Sequence, residues 1–102
     1  MRLTRPQRET IVSCIRQFAG EDIDVRVFGS RLDDARRGGD LDLLLVSSSP
    51  ISLLTRAELK QALEARLELP VDIVTYTHGD EPTPFQAIAI KHSRPVHVED
   101  AA

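Results

Sequence analysis

Helical and strand patterns alternate along this sequence, and their order constrains the fold more than any other feature of the chain. Three helical patterns start with a threonine that is followed three residues later by Gln or Glu, as in a capping box: Thr4, Thr55 and Thr83. Gly20 is a natural end for the first helix. Leu54 and Leu59 are spaced to form a hydrophobic staple at the second helix, although this helix could begin earlier, near Ser52.

The segments between the helical patterns have the composition of β-strands. Residues 23–28 alternate apolar and polar side chains, residues 40–46 are strongly apolar after an acidic start, and residues 71–76 are rich in β-branched residues. Residues 95–98 could add an edge strand, where a leading proline is tolerated. Residues 31–37 are compatible with a short helix or with irregular structure. We therefore expect an α/β (α+β) domain with one small mixed β-sheet flanked by helices.

The composition is that of a globular protein. The chain of 102 residues predicts one domain spanning residues 1–102, and its apolar fraction of 41% is enough for a core. A net charge of −3 provides no overall positive field, so direct nucleic-acid binding is not expected. Cys14 is the only cysteine, and no apolar run is long enough to span a membrane. We expect a cytoplasmic protein with no membrane partner.

An acidic pair opens the second predicted strand. Because side chains alternate along a strand, Asp40 and Asp42 should share one face, with Leu41 and Leu43 on the other. Two adjacent carboxylates repel each other, and a divalent cation removes that cost. Oxygen ligands of this kind suit Mg²⁺, and two such ions can act together on a displacement at phosphorus. The alternative is a strand that simply starts in solvent.

A Gly-Ser pair ends the first predicted strand. Gly29 allows a sharp turn and the approach of a ligand to the main chain, while Ser30 offers a hydroxyl and a backbone N–H to an anion. Arg31 is suited to neutralising phosphate charge. The Walker pattern G-x-x-x-x-G-K-[ST] is absent, so the pair indicates a different kind of phosphate site.

A third acid, Asp72, lies just inside the third predicted strand, between apolar neighbours. If that strand pairs with residues 40–46, Asp72 joins the acidic pair, can bind a metal ion and can help to accept a proton. The alternatives are that Asp72 caps a turn or pairs with an arginine.

Together these motifs resemble those of the minimal nucleotidyltransferases of the DNA-polymerase-β-like superfamily. The likeness covers most of the chain and is carried by Gly29-Ser30, nine further residues, Asp40-Leu41-Asp42 and Val71-Asp72-Ile73-Val74. It implies a polymerase-β-like nucleotidyltransferase fold. One departure is that Gly38-Gly39 precede Asp40, where many relatives have Ser or Thr.

The resemblance also assigns roles to individual residues. It implies that Asp40 and Asp42 bind both of two Mg²⁺ ions, and that Asp72 binds the catalytic one; these three acids are then the catalytic residues. The nucleotide-binding residues that we predict are Gly29, Ser30, Arg31 and Gly39.

Small stand-alone domains of this kind resemble the antitoxin half of HEPN/MNT toxin–antitoxin pairs. That resemblance implies a hetero-oligomer with a HEPN-type toxin, and a Mg²⁺-dependent transfer of AMP from ATP to a hydroxyl of the toxin, expected to be on a tyrosine. Two other functions stay open at this point. The chain could neutralise the toxin by contact alone, or it could transfer a nucleotide to a small molecule.

Overall fold

The computed structural model describes residues 3–29 and 40–97. Each of the helices within these ranges begins at a side chain that caps its first turn: α1 Arg5–Ala19, α2 Leu53–Leu67 and α3 Pro84–His92. The capping boxes predicted at Thr4 and Thr83 are confirmed, because each hydroxyl accepts a backbone N–H from three residues later and the glutamine at that position accepts the N–H of the threonine.

α2 starts earlier than the pattern at Thr55 predicts. Ser52 is the N-cap, and its Oγ accepts the Thr55 N–H at 3.1 Å. The earlier start is therefore confirmed, and the capping box of Thr55 with Glu58 is wrong. The hydrophobic staple is wrong as well. Since Leu54 falls within the first turn of the helix and is 71% exposed, it cannot pack on the fully buried Leu59.

The strands form one mixed sheet, as predicted. Their bounds are β1 Ile23–Phe28, β2 Leu41–Ser47, β3 Val71–Thr77 and β4 Arg94–Pro95. The order across the sheet is β3-β2-β1-β4, with β2 and β3 parallel and the other pairs antiparallel. The bounds of β2 and β3 differ from the prediction by one residue. The edge strand β4 begins at Arg94, one residue before the predicted start, and ends at Pro95, so the prediction of a strand at Val96 and His97 is wrong. Val98 lies outside the described residues.

The core lies between one face of the sheet and the helices α1 and α2. From the sheet, Leu41, Leu43 and Leu45 enter this core, and from the helices Ile11 and Leu63 do so. Because side chains alternate along β2, Asp42 and Leu44 belong to the opposite face. Leu44 is also fully buried, so the prediction that this strand is covered on both faces is confirmed.

Two predictions from the sequence stay untested. The short helical or irregular segment at residues 31–37 lies outside the described residues, and the single domain over residues 1–102 stays a prediction. In the described ranges 3–29 and 40–97, no helix is long and apolar enough to cross a membrane.

Candidate active site

The parallel pairing of β2 with β3 brings two of the predicted acids side by side. In this register Asp42 pairs directly with Asp72, and Leu41 pairs with Val71. Paired residues of neighbouring strands share a face of the sheet, and the strands are about 4.8 Å apart. Both carboxylates therefore belong to the face opposite the helical core. The predicted adjacency of the two strands is confirmed.

Burial and the two other acids of the predicted site all act on the carboxyl group of Asp42. It is half-buried, and its pKa is raised above the ordinary value, mainly because burial disfavours the charged form. The negative charges of Asp72 and then Asp40 raise it further. Asp40 is exposed and lies immediately before β2. A carboxylate in these surroundings is stabilised by a nearby cation.

Gly29 follows β1 and packs directly against the Asp42 carboxylate. Its φ is +78°, in the left-handed region that favours glycine. A Cβ at this position would overlap Asp42 Oδ2 and lie 3.2 Å from Asp42 Cγ. The strand register explains this closeness, because the preceding residue, Phe28, is the antiparallel partner of Asp42. The bare backbone of Gly29 is thus accessible to a ligand that also reaches the acids.

An ion pair on α2 fixes the start of β3, next to Asp72. Glu64 Oε2 accepts the Val71 N–H at 2.9 Å, and Lys60 Nζ donates to the Val71 carbonyl at 2.5 Å. Lys60 and Glu64 also bond to each other at 3.2 Å, and Lys60 Nζ lies 3.8 Å from Asp72 Oδ1. The Val71 N–H and then the Lys60 ammonium lower the pKa of Glu64. We call these two residues the Lys60–Glu64 clamp.

Sequence reasoning missed this clamp. The spacing of Lys60 and Glu64 is visible in the sequence, but it is the ordinary spacing of an ion pair on an exposed helix face. Only the packing of α2 beside the edge of β3 turns the pair into a contact with residue 71. Among the described residues, the basic neighbour of Asp72 is Lys60 and not the arginine of the alternative, and the Asp72 side chain is still 65% exposed.

A cleft of about 600 Å³ opens beside Gly29. Its walls include Phe28 and Phe85, whose rings meet edge to face with centroids 6.2 Å apart, and the basic side chains Lys91 and Arg94. Apolar walls with a few polar groups are typical of small-molecule sites. No local pattern in the sequence indicates this cleft, because residues 85–94 are distant in sequence from Phe28 and Gly29 and meet them only in the folded chain.

The chemistry of these side chains fits Mg²⁺. Within residues 3–29 and 40–97, no three His, Cys, Asp or Glu side chains are grouped closely enough to hold a metal ion by themselves. Magnesium commonly takes only one or two carboxylates and fills its other positions with water and substrate phosphates. Asp42 and Asp72 can supply such a pair, and the pKa of Asp42 is raised first by burial and then by the negative charges of Asp72 and Asp40, both of which a cation would offset. The role of Asp40 as a further ligand stays a prediction.

Three of the predicted nucleotide-binding residues lie outside the described residues: Ser30, Arg31 and Gly39. Their roles stay predictions. The structure thus brings together Gly29, Asp42 and Asp72 from the predicted set, with Asp40 exposed immediately before β2, and it adds Lys60 and Glu64 to the surroundings of Asp72.

Comparison with known proteins gives a family for this arrangement. The family model described as a nucleotidyltransferase domain matches residues 8–97. A curated relative from Haemophilus influenzae, described as the probable protein adenylyltransferase MntA, is 37% identical over 73 residues. That match covers 70% of this chain and 64% of the relative, which is less than two thirds of its length.

Solved structures match the fold. A structure assigned as a minimal nucleotidyltransferase has a TM-score of 0.65 at 33% identity, and the match covers 89% of this chain and 90% of that one. The complex of a tri-AMPylated Shewanella oneidensis HEPN toxin with its MNT antitoxin contains a chain that matches with a TM-score of 0.71 at 18% identity, covering 93% of this chain and 72% of that one. These matches confirm the predicted polymerase-β-like nucleotidyltransferase fold.

Proposed function

This chain belongs to the nucleotidyltransferase domain family, and we propose that it transfers AMP from ATP to a hydroxyl group of a partner protein. The observation that carries this proposal is the direct pairing of Asp42 with Asp72, with the backbone of Gly29 against Asp42. Two negative side chains held on one face beside an open glycine backbone suit cations and a polyphosphate.

Different residues would bind the metal ions, accept the proton and bind the triphosphate. Asp40, Asp42 and Asp72 would hold two Mg²⁺ ions, whose charge stabilises the reacting oxygens of a displacement at phosphorus. Asp72, with its side chain 65% exposed, is accessible to the acceptor and would take the proton of its hydroxyl. The acceptor oxygen then bonds to the α-phosphorus, the bond from that phosphorus to the bridging oxygen breaks, and pyrophosphate leaves. Gly29, with Ser30 and Arg31, would bind the triphosphate, and Gly39 would line the nucleotide site.

The partner that we propose is a HEPN-type toxin, with a tyrosine as acceptor, so that this chain acts as an antitoxin in a hetero-oligomer. Support comes from the likeness to MntA of Haemophilus influenzae and, at the level of fold, from the MNT antitoxin of Shewanella oneidensis. A second solved structure, a toxin–antitoxin complex with AMP-PNP, supports ATP as the nucleotide. Its matching chain has a TM-score of 0.72 at 18% identity, and the match covers 88% of this chain and 72% of that one.

The test is a labelling reaction with purified proteins. The chain is mixed with a purified HEPN-type toxin and with ATP labelled at the α-phosphate, either with Mg²⁺ or with a chelator. Label should reach the partner only with Mg²⁺, and Asp42→Asn should abolish it, because an amide is a poor substitute for a charged ligand. Asp24→Asn is the matched control, since Asp24 is an exposed carboxylate on β1 whose contact with Arg26 is a surface ion pair. Labelling that survives Asp42→Asn would reject the mechanism.

A second candidate is neutralisation by contact, favoured by the large apolar side chains that the surface exposes. Among these, Phe85 and Ile88 of α3 are 57% and 59% exposed, and exposed apolar patches often mark binding surfaces. In cells, the double variant Asp40→Asn with Asp42→Asn should then still neutralise the toxin. A folded double variant that forms the complex but fails to protect the cell excludes this candidate.

A further inference from the structure

A groove of about 350 Å³ runs between α2 and the outer edge of β3, and Asp72 is part of its wall. Its lining consists of Leu53, Arg56, Ala57, Lys60, Asp72 and Ile73. The groove is separate from the cleft beside Gly29, which is lined by residues of β1, α3 and the segment after α3. A catalytic acid of the proposed reaction therefore borders a surface that is not part of the cleft beside Gly29.

The order of the strands indicates which substrate each of these surfaces serves. Gly29 follows β1, Asp42 is on β2 and Asp72 is on β3, which is the outermost strand on this side of the sheet. In an in-line displacement the attacking and leaving groups are on opposite sides of the phosphorus. With the triphosphate at Gly29, the acceptor hydroxyl has to approach from the side of β3, where the groove lies.

The side chains of the groove are apolar and basic, although the whole chain has a net charge of −3. Leu53 is 71% exposed at the start of the groove, and Ile73 is half-buried along it. Lys60 already has Glu64 and Asp72 as neighbours, whereas Arg56 forms no ion pair with any residue in 3–29 or 40–97. An acidic group on a partner would supply the counter-charge for Arg56.

We propose that this groove holds the acceptor segment of the partner protein, a segment in which an apolar and an acidic side chain flank the hydroxyl that receives AMP. The apolar side chain packs against Leu53 and Ile73, the acidic one pairs with Arg56, and the hydroxyl reaches Asp72. This inference rests on the proposed function, since it names the acceptor of that same reaction.

The first test compares two neighbouring leucines. Leu53→Asp places a charge in the groove, whereas Leu54→Asp places the same charge at an equally exposed position that does not line it. At saturating ATP and Mg²⁺, Leu53→Asp should raise the KM for the HEPN-type partner about tenfold, which is the effect of losing one well-packed interface side chain. Leu54→Asp should leave it near the wild-type value. Equal effects of the two changes would overturn the proposal.

The second test reverses the charge of one arginine on the same helix. Arg56→Glu should raise the KM for the partner about tenfold by repelling an acidic side chain, while Arg66→Glu, ten residues further along α2, serves as the matched control. A higher KM for ATP alone would assign Arg56 to the nucleotide and overturn the proposal. A changed oligomeric state of the isolated Leu53→Asp variant would assign the groove to a second copy of this chain and overturn it too.

Failure of the proposed function can be told apart from failure of this inference. The dissociation constant of the complex is measured for the same four variants by calorimetry, which needs no transfer of AMP. If wild-type protein labels nothing with Mg²⁺, the proposed function is wrong, and weaker binding by Leu53→Asp and Arg56→Glu than by their controls still supports the groove. If labelling is normal and the four variants bind and react alike, the groove is wrong and the function stands.

Discussion

Asp42 on β2 is the direct parallel partner of Asp72 on β3, so that two carboxylates are paired on the face of the sheet opposite the main core. Burial, then Asp72, then Asp40 raise the pKa of Asp42. Such a pair opposes folding, because one of its members is held in a place where its charged form is disfavoured. Under the proposed reaction, in which Asp42 binds Mg²⁺, function and stability make opposite demands on this position.

Asp42→Asn should raise the unfolding temperature at pH 7 without divalent metal, while it abolishes AMP transfer. Folding raises the pKa of this carboxyl, so the folded state binds the proton more tightly than the unfolded state does. The stability that this group contributes is fully present below its ordinary pKa of 3.8 and is lost as pH rises through the raised value. The advantage of the variant should thus grow from pH 4 to pH 7 in thermal unfolding curves.

Two controls make that measurement specific. Asp24→Asn removes an exposed carboxylate of β1 and should bring no comparable gain, since its ion pair with Arg26 lies at the surface. Adding Mg²⁺ should stabilise the wild-type protein more than Asp42→Asn, because a ligand stabilises the form that binds it. An unfolding temperature of Asp42→Asn equal to that of wild type at every pH would show that Asp42 carries no such penalty.

Gly29→Ala should reduce AMP transfer sharply and also destabilise the protein. The added Cβ would overlap Asp42 Oδ2, and the φ of +78° is unfavourable for alanine. The backbone strain alone costs of the order of 1–3 kcal/mol. Displacement of the Asp42 carboxylate adds a loss of activity that strain by itself does not cause. Both effects are measured on one preparation, by denaturant unfolding and by the labelling reaction.

Gly79→Ala separates the two causes. Gly79 has a similar φ of +95°, but nothing lies within 4 Å of a Cβ built there. Its substitution should lower the free energy of unfolding by a similar amount and leave the rate of AMP transfer unchanged. If Gly29→Ala transfers AMP as fast as Gly79→Ala, the close approach of Gly29 to Asp42 has no role in the site.

Much of the fold could be predicted because its signals are local. The capping boxes at Thr4 and Thr83 each depend on residues within one helical turn, and the alternation in residues 23–28 depends only on neighbours. The pairing of Asp42 with Asp72 could be predicted in outline, because a strand, a helix and a strand in succession favour a parallel pair. The functional roles of these acids remain predictions.

Two features could not be predicted, one because two neighbouring residues are equally plausible caps and the other because its residues are far apart in sequence. Ser52 and Thr55 both have a hydroxyl that can cap the first turn of α2, and the local sequence pattern does not show which of them is the N-cap. The Lys60–Glu64 clamp depends on residues that are separated from Val71 in sequence and meet it only after α2 packs beside β3. Packing of this kind decides geometry that periodicity cannot show.

The start of α2 leads to a stability prediction. Ser52→Ala should lower the free energy of unfolding by about 1 kcal/mol, because it removes the N-cap hydroxyl that accepts the Thr55 N–H. Thr55→Ala should cost less, since Thr55 lies inside the helix, where alanine has the higher helix propensity. Denaturant unfolding of the two variants ranks them. A larger loss for Thr55→Ala would contradict the assignment of Ser52 as the cap.

Lys60→Met should slow AMP transfer about tenfold at saturating Mg²⁺, ATP and partner, a loss typical of residues that orient a metal ligand. The substitution keeps the apolar stem but removes the ammonium group that bonds to the Val71 carbonyl and lies 3.8 Å from Asp72 Oδ1. Lys60→Arg should recover most of the rate. Saturating Mg²⁺ matters, because losing a positive charge can also tighten binding of the cation, which would speed the reaction only at low Mg²⁺. Hydrogen exchange of the Val71 amide should be faster in Glu64→Ala, since that amide loses its acceptor. Arg5→Met, which breaks an ion pair of the same spacing on α1, is the control for Lys60→Met. A full rate in Lys60→Met at saturating Mg²⁺ would leave the clamp with a structural role only.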